Sequence, residues 1–258
     1  MFKDECSFLD AEFLRPIAHR GLHDASVGRI ENTAPAFEAA IAAGFGIECD
    51  LRPARDGTPF VFHDPTLDRL VDAEGPLASR TPGELSALRY RALNTPLLSY
   101  SGFLELVAGK VPLLVEIKSD WDAPDSRFLS AVAELSLAYR GPLALMSFDP
   151  AVMAVMRTLA PALPRGIVSG RYEGPDWWPD AIDVERAFRL SHCLESGPAR
   201  PGFFAYEVDA LPTPVMRFAR DVMRLPIFAW TVRSPDQLAC ARAWADAPIF
   251  EHINPGAA

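Results

Sequence analysis

Apolar and polar positions recur along this chain in a fixed alternation. A short, nearly continuous apolar run is followed by a segment with apolar residues at helical spacing. Residues 16–19 predict a strand, and 34–43 a helix with Thr33 as N-cap and Gly44 as stop. Residues 45–51 and 59–63 predict strands joined across Arg55-Asp56-Gly57, a turn signal. Residues 64–96, rich in Asp, Arg, Gly and Pro, are irregular apart from one short helix. It begins at Thr81-Pro82-Gly83-Glu84, which has capping-box spacing with Pro at the first helical position. The alternation then becomes regular: helix 99–108, strand 112–117, helix 126–139, strand 142–147, helix 150–159 and strand 165–169. Helix 180–192, strand 202–208, helix 213–223, strand 226–232, helix 235–244 and strand 247–251 complete it.

Counting 59–63 as an extension of the second strand leaves eight strands. Strands alternating with helices imply a parallel sheet, because each crossover must return the chain to the same end. Eight such units in 258 residues predict an α/β fold, a single TIM (β/α)₈ barrel over 1–258 with an insertion at about 64–96. An open doubly wound sheet is the competitor. The segment before the first strand is expected to cover the barrel floor, and an eighth outer helix to be short or absent.

Composition narrows the function. The chain is 49% hydrophobic with net charge −9 and no basic run, which argues against a nucleic-acid partner. No stretch approaches the roughly 20 apolar residues of a membrane span. The first residues lack the apolar core of a signal peptide, so the cytoplasm is the expected compartment. Cys6, Cys49, Cys193 and Cys240 are scattered and read as buried thiols. Oligomeric state is not legible.

The chemistry collects at predicted strand ends. His19-Arg20-Gly21 closes the first strand and His63-Asp64 ends the extension of the second. Glu48 and Asp50 share one strand face while Cys49 takes the other, and Glu116 and Lys118 repeat that spacing. In a TIM barrel this rim carries active sites. Three carboxylates converging there repel and are costly to desolvate without a cation. An oxygen-only trio suits one hard divalent ion, Mg²⁺ or Ca²⁺ with Mn²⁺ as a third candidate, better than zinc. An internal salt-bridge network with Lys118 and Arg20 is the competing reading. Two histidines offer an acid and a base, Arg20 a planar fork for phosphate oxygens, and Lys118 a point charge. Together these residues point to phosphoester chemistry without naming a substrate.

At these residues the chain resembles the glycerophosphodiester phosphodiesterases. His19-Arg20-Gly21, Glu31-Asn32-Thr33, Glu48-Cys49-Asp50, His63-Asp64, Glu116-Ile117-Lys118, Ser147-Phe148 and Trp230-Thr231 follow that family's order and approximate spacing. Any one motif is weak, but the ordered series is specific. The resemblance implies a TIM barrel with an insert after the second strand, and hydrolysis of glycerophosphodiesters to glycerol 3-phosphate and an alcohol. It implies Glu48, Asp50 and Glu116 as metal ligands, His19 and His63 as the acid–base pair, and Arg20 and Lys118 on the phosphate. The nucleophile would be the substrate's own neighbouring hydroxyl or water. Trp230 would wall the glycerol carbons. Glu31 and Asn32 would position Arg20 or the substrate, or cap the helix entry.

Glu207 is left unassigned. His23, His192, His252, the Trp177-Trp178 pair and the Met153–Met156 stretch take structural readings. The chain also departs from the family pattern. Arg233 stands where Asn is common after Trp-Thr-x, and Phe250-Glu251-His252 where Thr-Asp is frequent. Both departures are expected on the rim opposite the metal ligands, where they would bear on the leaving alcohol. Rival functions are a lysophospholipase D acting on lipids, with 64–96 as the place for an apolar surface, a silent phosphometabolite-binding barrel, and a Mg²⁺-dependent lyase.

Overall fold

A computed structural model describes residues 9, 11–91, 93–174 and 181–256. The described residues form nine strands: β1 (Ile17–Ala18), β2 (Gly46–Pro53), β3 (Pro59–Val61), β4 (Leu113–Ile117), β5 (Leu143–Ser147), β6 (Arg165–Ser169), β7 (Phe203–Glu207), β8 (Ile227–Val232) and β9 (Ala247–Phe250). All but β3 are parallel neighbours. The ring closes because β1 pairs with β2 on one side and with β9 on the other, Ile17 facing Gly46 and Ile249. The chain is therefore a closed eight-stranded parallel barrel, not an open sheet. β3 folds back antiparallel on the end of β2, setting Leu51 against Val61.

Helices α1 (Ala34–Ala42), α2 (Pro82–Ala87), α3 (Tyr100–Val107), α4 (Ser126–Ala138), α5 (Pro150–Leu159), α6 (Val184–Ser191), α7 (Pro214–Arg217) and α8 (Pro235–Trp244) connect the strands. Their starts are chemically marked. Asp125, Asp149, Asp183 and Ser234 each accept a backbone N–H of the first turn, and Thr81 with Glu84 forms the capping box. Two expectations shift. The helix over 180–192 begins at Val184, after the Asp183 cap. The one over 213–223 is α-helical only to Arg217, then widens over Phe218–Val222, where Met223 N–H reaches Phe218 O. No helix among the described residues is long and apolar enough to cross a membrane.

Period-two alternation sorts the strand residues. Ile47, Cys49, Leu51, Leu113, Val115 and Ile117 point outward into the layer under the helices. Their alternates point inward. Leu114, Ala144, Met146, Phe203, Phe228 and Ile249 fill the barrel, and Phe13 from the segment before β1 joins them at 2% exposure. That burial meets the expectation of a covered floor. Residues 64–96 pack Leu67, Val71, Leu77, Leu85 and Tyr90 against Phe60 and Phe62 in a small separate cluster. Among the described residues, none of the large exposed apolar side chains belongs to that segment. Met153 and Met156 are core, and Trp177-Trp178 lies outside the described residues.

Candidate active site

The chain turns sharply as it leaves β1. Arg20 adopts a left-handed backbone (φ 54°), which aims its N–H at Glu48 Oε2, 2.9 Å away. Gly21 follows at φ +80°, and a Cβ there would sit 2.9 Å from the Ala36 backbone carbon of α1. Only glycine satisfies both conditions. Gly21→Ala is expected to cost about 2–4 kcal/mol of stability through backbone strain and overpacking, read as a lowered denaturation midpoint.

The three acidic residues converge above the apolar filling. Asp50 and Glu116 are register partners on β2 and β4, whereas Glu48 pairs with Leu114 one layer deeper. Glu48, Asp50 and Glu116 are 1%, 0% and 6% exposed, and each offers an oxygen within 4.8 Å of the others'. Lys118 Nζ lies 2.8 Å from Asp50 Oδ1 and 2.5 Å from Glu116 Oε1, while Arg20 Nε is 3.2 Å from Asp50 Oδ2. The salt-bridge network weighed from sequence is therefore present. It does not complete the site. Burial alone would raise Asp50, but Lys118, then His63 and Arg20, hold it well below the usual carboxylate range. Glu48 goes the other way, pushed well up by burial and by Asp50 and Glu116. Its Oε1 is buried and accepts no hydrogen bond among the described residues. An unpaired oxygen in an all-carboxylate cluster is what a hard divalent cation satisfies. Glu48, Asp50 and Glu116 fit that role.

Each histidine stands against a carboxylate. His19 is 13% exposed; its Nδ1 lies 2.5 Å from Glu251 Oε2, and its Nε2 faces Glu48 Oε2 at 3.9 Å. Burial pushes His19 down to about 4, outweighing the opposing pull of Glu251. The ring is thus neutral at pH 7 and donates Nδ1–H to Glu251. His63 Nδ1 lies 2.7 Å from Asp64 Oδ1, and Arg69 Nε donates to Asp64 Oδ2 at 2.6 Å. Arg69 also donates to both oxygens of Glu31, which accepts from Arg20 Nη1 at 2.8 Å. The insert thereby reaches back to brace both His63 and Arg20.

A cavity of about 490 Å³ opens at the C-terminal ends of the strands. His19, Arg20, Glu48, His63, Glu116, Lys118 and Trp230 line it together; Asp50 lies beneath, covered by the two cations. A sequence model of the glycerophosphoryl diester phosphodiesterase family matches residues 19–252. The chain belongs to this family. A Mycobacterium tuberculosis protein assigned as glycerophosphodiester phosphodiesterase 1 is 29% identical over 171 residues, 57% of this chain and 61% of that protein. The chain thus spans less than two-thirds of that relative's length. A Silicibacter pomeroyi structure assigned to the same enzyme class superposes with TM-score 0.73 at 25% identity, covering 95% of this chain and 92% of the other. An Oleispira antarctica phosphodiesterase, solved with sn-glycerol-3-phosphate, superposes with TM-score 0.69 at 20% identity, covering 92% of each chain.

Against the family pattern, the structure adds residues that the motifs did not reveal. Asn32 is no helix cap: its Nδ2 donates to Asp50 Oδ2 at 2.8 Å, and its backbone is left-handed (φ 56°). Thr33 occupies the N-cap position, but its hydroxyl donates to Ile30 O instead. Glu207 accepts from Arg171 (2.6 Å), not from Lys118. The Glu251 departure is not opposite the metal ligands, whereas Arg233 follows β8, across the ring from β4, and reaches Glu251 with its Nε at 2.6 Å. β9 pairs directly with β1, which sets Glu251 against His19. His23, read as structural, lies 3.3 Å from the same Glu251 oxygen. Trp121 and Ser119 also line the cavity, brought in by a loop whose sequence carries no periodic signal, beside Phe148 of the Ser147-Phe148 motif. Trp230 stands edge-on to Phe148, ring centroids 5.2 Å apart.

Proposed function

We propose that this protein is a divalent-metal-dependent hydrolase of glycerophosphodiesters, releasing sn-glycerol 3-phosphate and an alcohol. The observation that carries the reading is the convergence of two carboxylate-braced histidines, a fixed Arg–Lys pair and an incompletely neutralised carboxylate trio on one cavity. A binding barrel has no use for both an acid and a base. Among its described residues the insert exposes no large apolar side chain, which disfavours a lipid-surface enzyme working through it.

Glu48, Asp50 and Glu116 hold the cation, Mg²⁺ or Ca²⁺ with Mn²⁺ as a third choice; when bound, it supplies positive charge against the phosphoryl oxygens. Arg20 and Lys118 orient the phosphate. His19 is neutral and deep, so its Nε2 takes the proton from the attacking hydroxyl, either the substrate's neighbouring group or water. As that oxygen bonds to phosphorus, the bond to the alcohol oxygen breaks, and His63, nearer the mouth, returns a proton to it. Attack by the neighbouring hydroxyl gives a cyclic phosphate, which water opens with the roles exchanged: His63 takes the proton of the attacking water, and His19 gives its proton to the ring oxygen as that bond to phosphorus breaks. Trp230 walls the carbon skeleton. We place the enzyme in the cytoplasm, with a small-molecule substrate and no nucleic-acid partner.

The test is a panel of glycerophosphodiesters with Mg²⁺, Ca²⁺, Mn²⁺ or EDTA, following glycerol 3-phosphate by a coupled dehydrogenase. Metal-dependent release that EDTA abolishes is the expected result. A folded protein that releases nothing with any metal overturns the assignment.

A further inference from the structure

Glu251 has both carboxylate oxygens committed. Oε2 faces His19 Nδ1 at 2.5 Å and His23 Nε2 at 3.3 Å; Oε1 accepts from Arg233 Nε at 2.6 Å. His252 Nε2 stands farther off, 3.9 Å from Oε1. The surrounding backbone is pinned. Glu251 N–H donates to Val232 O (3.1 Å), and His19 N–H donates to Phe250 O (2.9 Å). Arg233 is itself tied down, its backbone N–H donating to Gln237 Oε1 of α8 at 2.8 Å. Gln237 in turn donates to both oxygens of Asp209, each at 3.0 Å. The carboxylate is only 10% exposed, so it cannot swing into solvent without breaking these contacts. A donor-only guanidinium on one oxygen leaves the other to accept from the imidazole.

We propose that Glu251, clamped by Arg233, is the positioning residue of His19: it fixes the ring as the Nδ1–H tautomer and presents a bare Nε2 to the reacting group. This deepens the hydrolase reading and rests on it for the catalytic consequence, though not for the tautomer. Neither residue touches substrate in this role. Both act through His19, as an orienting carboxylate does in a serine-protease triad.

The geometry makes the neutral isostere unusually informative. In Glu251→Gln, Arg233 has only hydrogens to offer, so the amide oxygen must turn toward it and the NH₂ toward His19 and His23. His19 then accepts at Nδ1, its proton moves to Nε2, and the base faces the wrong way. Removing Arg233 as well frees the amide to rotate its oxygen back to Nδ1. Clamp and carboxylate are thus coupled with a defined sign, which a merely structural contact would not be.

The experiment combines steady-state kinetics with two-bond ¹H–¹⁵N correlation spectra of the histidines in wild type, Glu251→Gln, Arg233→Met and the double variant. Wild type is expected to show His19 as Nδ1–H, and Glu251→Gln as Nε2–H. For Glu251→Gln, kcat should fall about 10²–10³-fold with KM little changed, below the ~10⁴-fold loss of the corresponding serine-protease change. The double variant should regain the Nδ1–H form and recover roughly ten-fold in kcat. Arg233→Met alone should keep the tautomer and lose a few-fold in kcat. It also serves as the test if Glu251→Gln does not fold, an unchanged kcat counting against the clamp. An Nδ1–H ring in Glu251→Gln, or an undiminished kcat, overturns the proposal. A tautomer switch in a protein that cleaves no glycerophosphodiester keeps the clamp and sinks the assigned reaction instead.

Discussion

Replacing His19 or His63 by alanine is expected to lower turnover by about 10²–10⁴-fold while leaving the fold intact. The chemical half follows from placement. His19 has its Nδ1 committed to Glu251 and its Nε2 directed at the carboxylate end of the cavity, so one nitrogen orients the ring and the other reacts. His63 is arranged likewise through Asp64 but is 31% exposed, nearer the path of a departing alcohol. The structural half follows from what each deletion leaves behind. Without the His19 ring, Glu251 keeps Arg233 and His23; without the His63 ring, Asp64 keeps two bonds from Arg69. Neither truncation strands a buried charge, so the thermal midpoint should move little. The losses should fall on kcat rather than KM, because proton transfer belongs to the transition state. Either variant turning over at the wild-type rate would remove that histidine from the mechanism.

The barrel was legible because its signals are local. Alternate strand residues must face opposite sides, so the pattern of Glu48, Cys49 and Asp50 already placed two carboxylates on one face and a thiol on the other. The start of α2 was legible for the same reason, since Thr81 with Glu84 is a complete start signal within one turn. What escaped was set by closure. Glu251 lies 232 residues from His19, and only the pairing of β9 with β1 brings them together. Arg69 was equally silent. It sits in the irregular segment after β3, yet joins Asp64, the partner of His63, to Glu31, the partner of Arg20. The widened turn after α7 was missed because an i→i+5 register leaves the apolar spacing nearly helical. Glu31 and Asn32 carried two readings, support of Arg20 or the substrate and a helix-entry cap; Glu31 accepts from Arg20, and positive φ at Asn32 turns its amide inward to Asp50.

Glu48→Gln is expected to abolish the cation's stabilising effect while leaving the metal-free protein as stable as wild type, or more so. In the metal-free protein three buried carboxylates face Lys118 and Arg20, and Arg20 also serves Glu31. The shortfall rests on Glu48, whose carboxyl is pushed well above its ordinary value of 4.5 by burial and its two acidic neighbours. A native pKa above the unfolded one means that the folded state holds a proton the unfolded state has released. Stability of the metal-free protein should therefore fall as pH rises from about 4.5 toward the raised native value, and this slope is absent in the glutamine variant. The substituted amide can still accept from Arg20 N–H through its oxygen, and its hydrogens would face the other two carboxylates, replacing repulsion with donation. In wild type a cation at a hundred times its Kd should add about 2.7 kcal/mol. For a chain of this size that is about 5–10 °C in Tm. The discriminating measurement is a pair of melting curves for each protein, with EDTA and with saturating Mg²⁺ or Ca²⁺, repeated across pH. A wild-type Tm that metal raises and a variant Tm that it does not would assign Glu48 as a ligand through stability alone, independent of any substrate. Equal metal-induced shifts in both proteins would move the cation away from Glu48. A variant that is much less stable than wild type in EDTA would show that the Glu48 charge is already compensated, contrary to its unpaired Oε1.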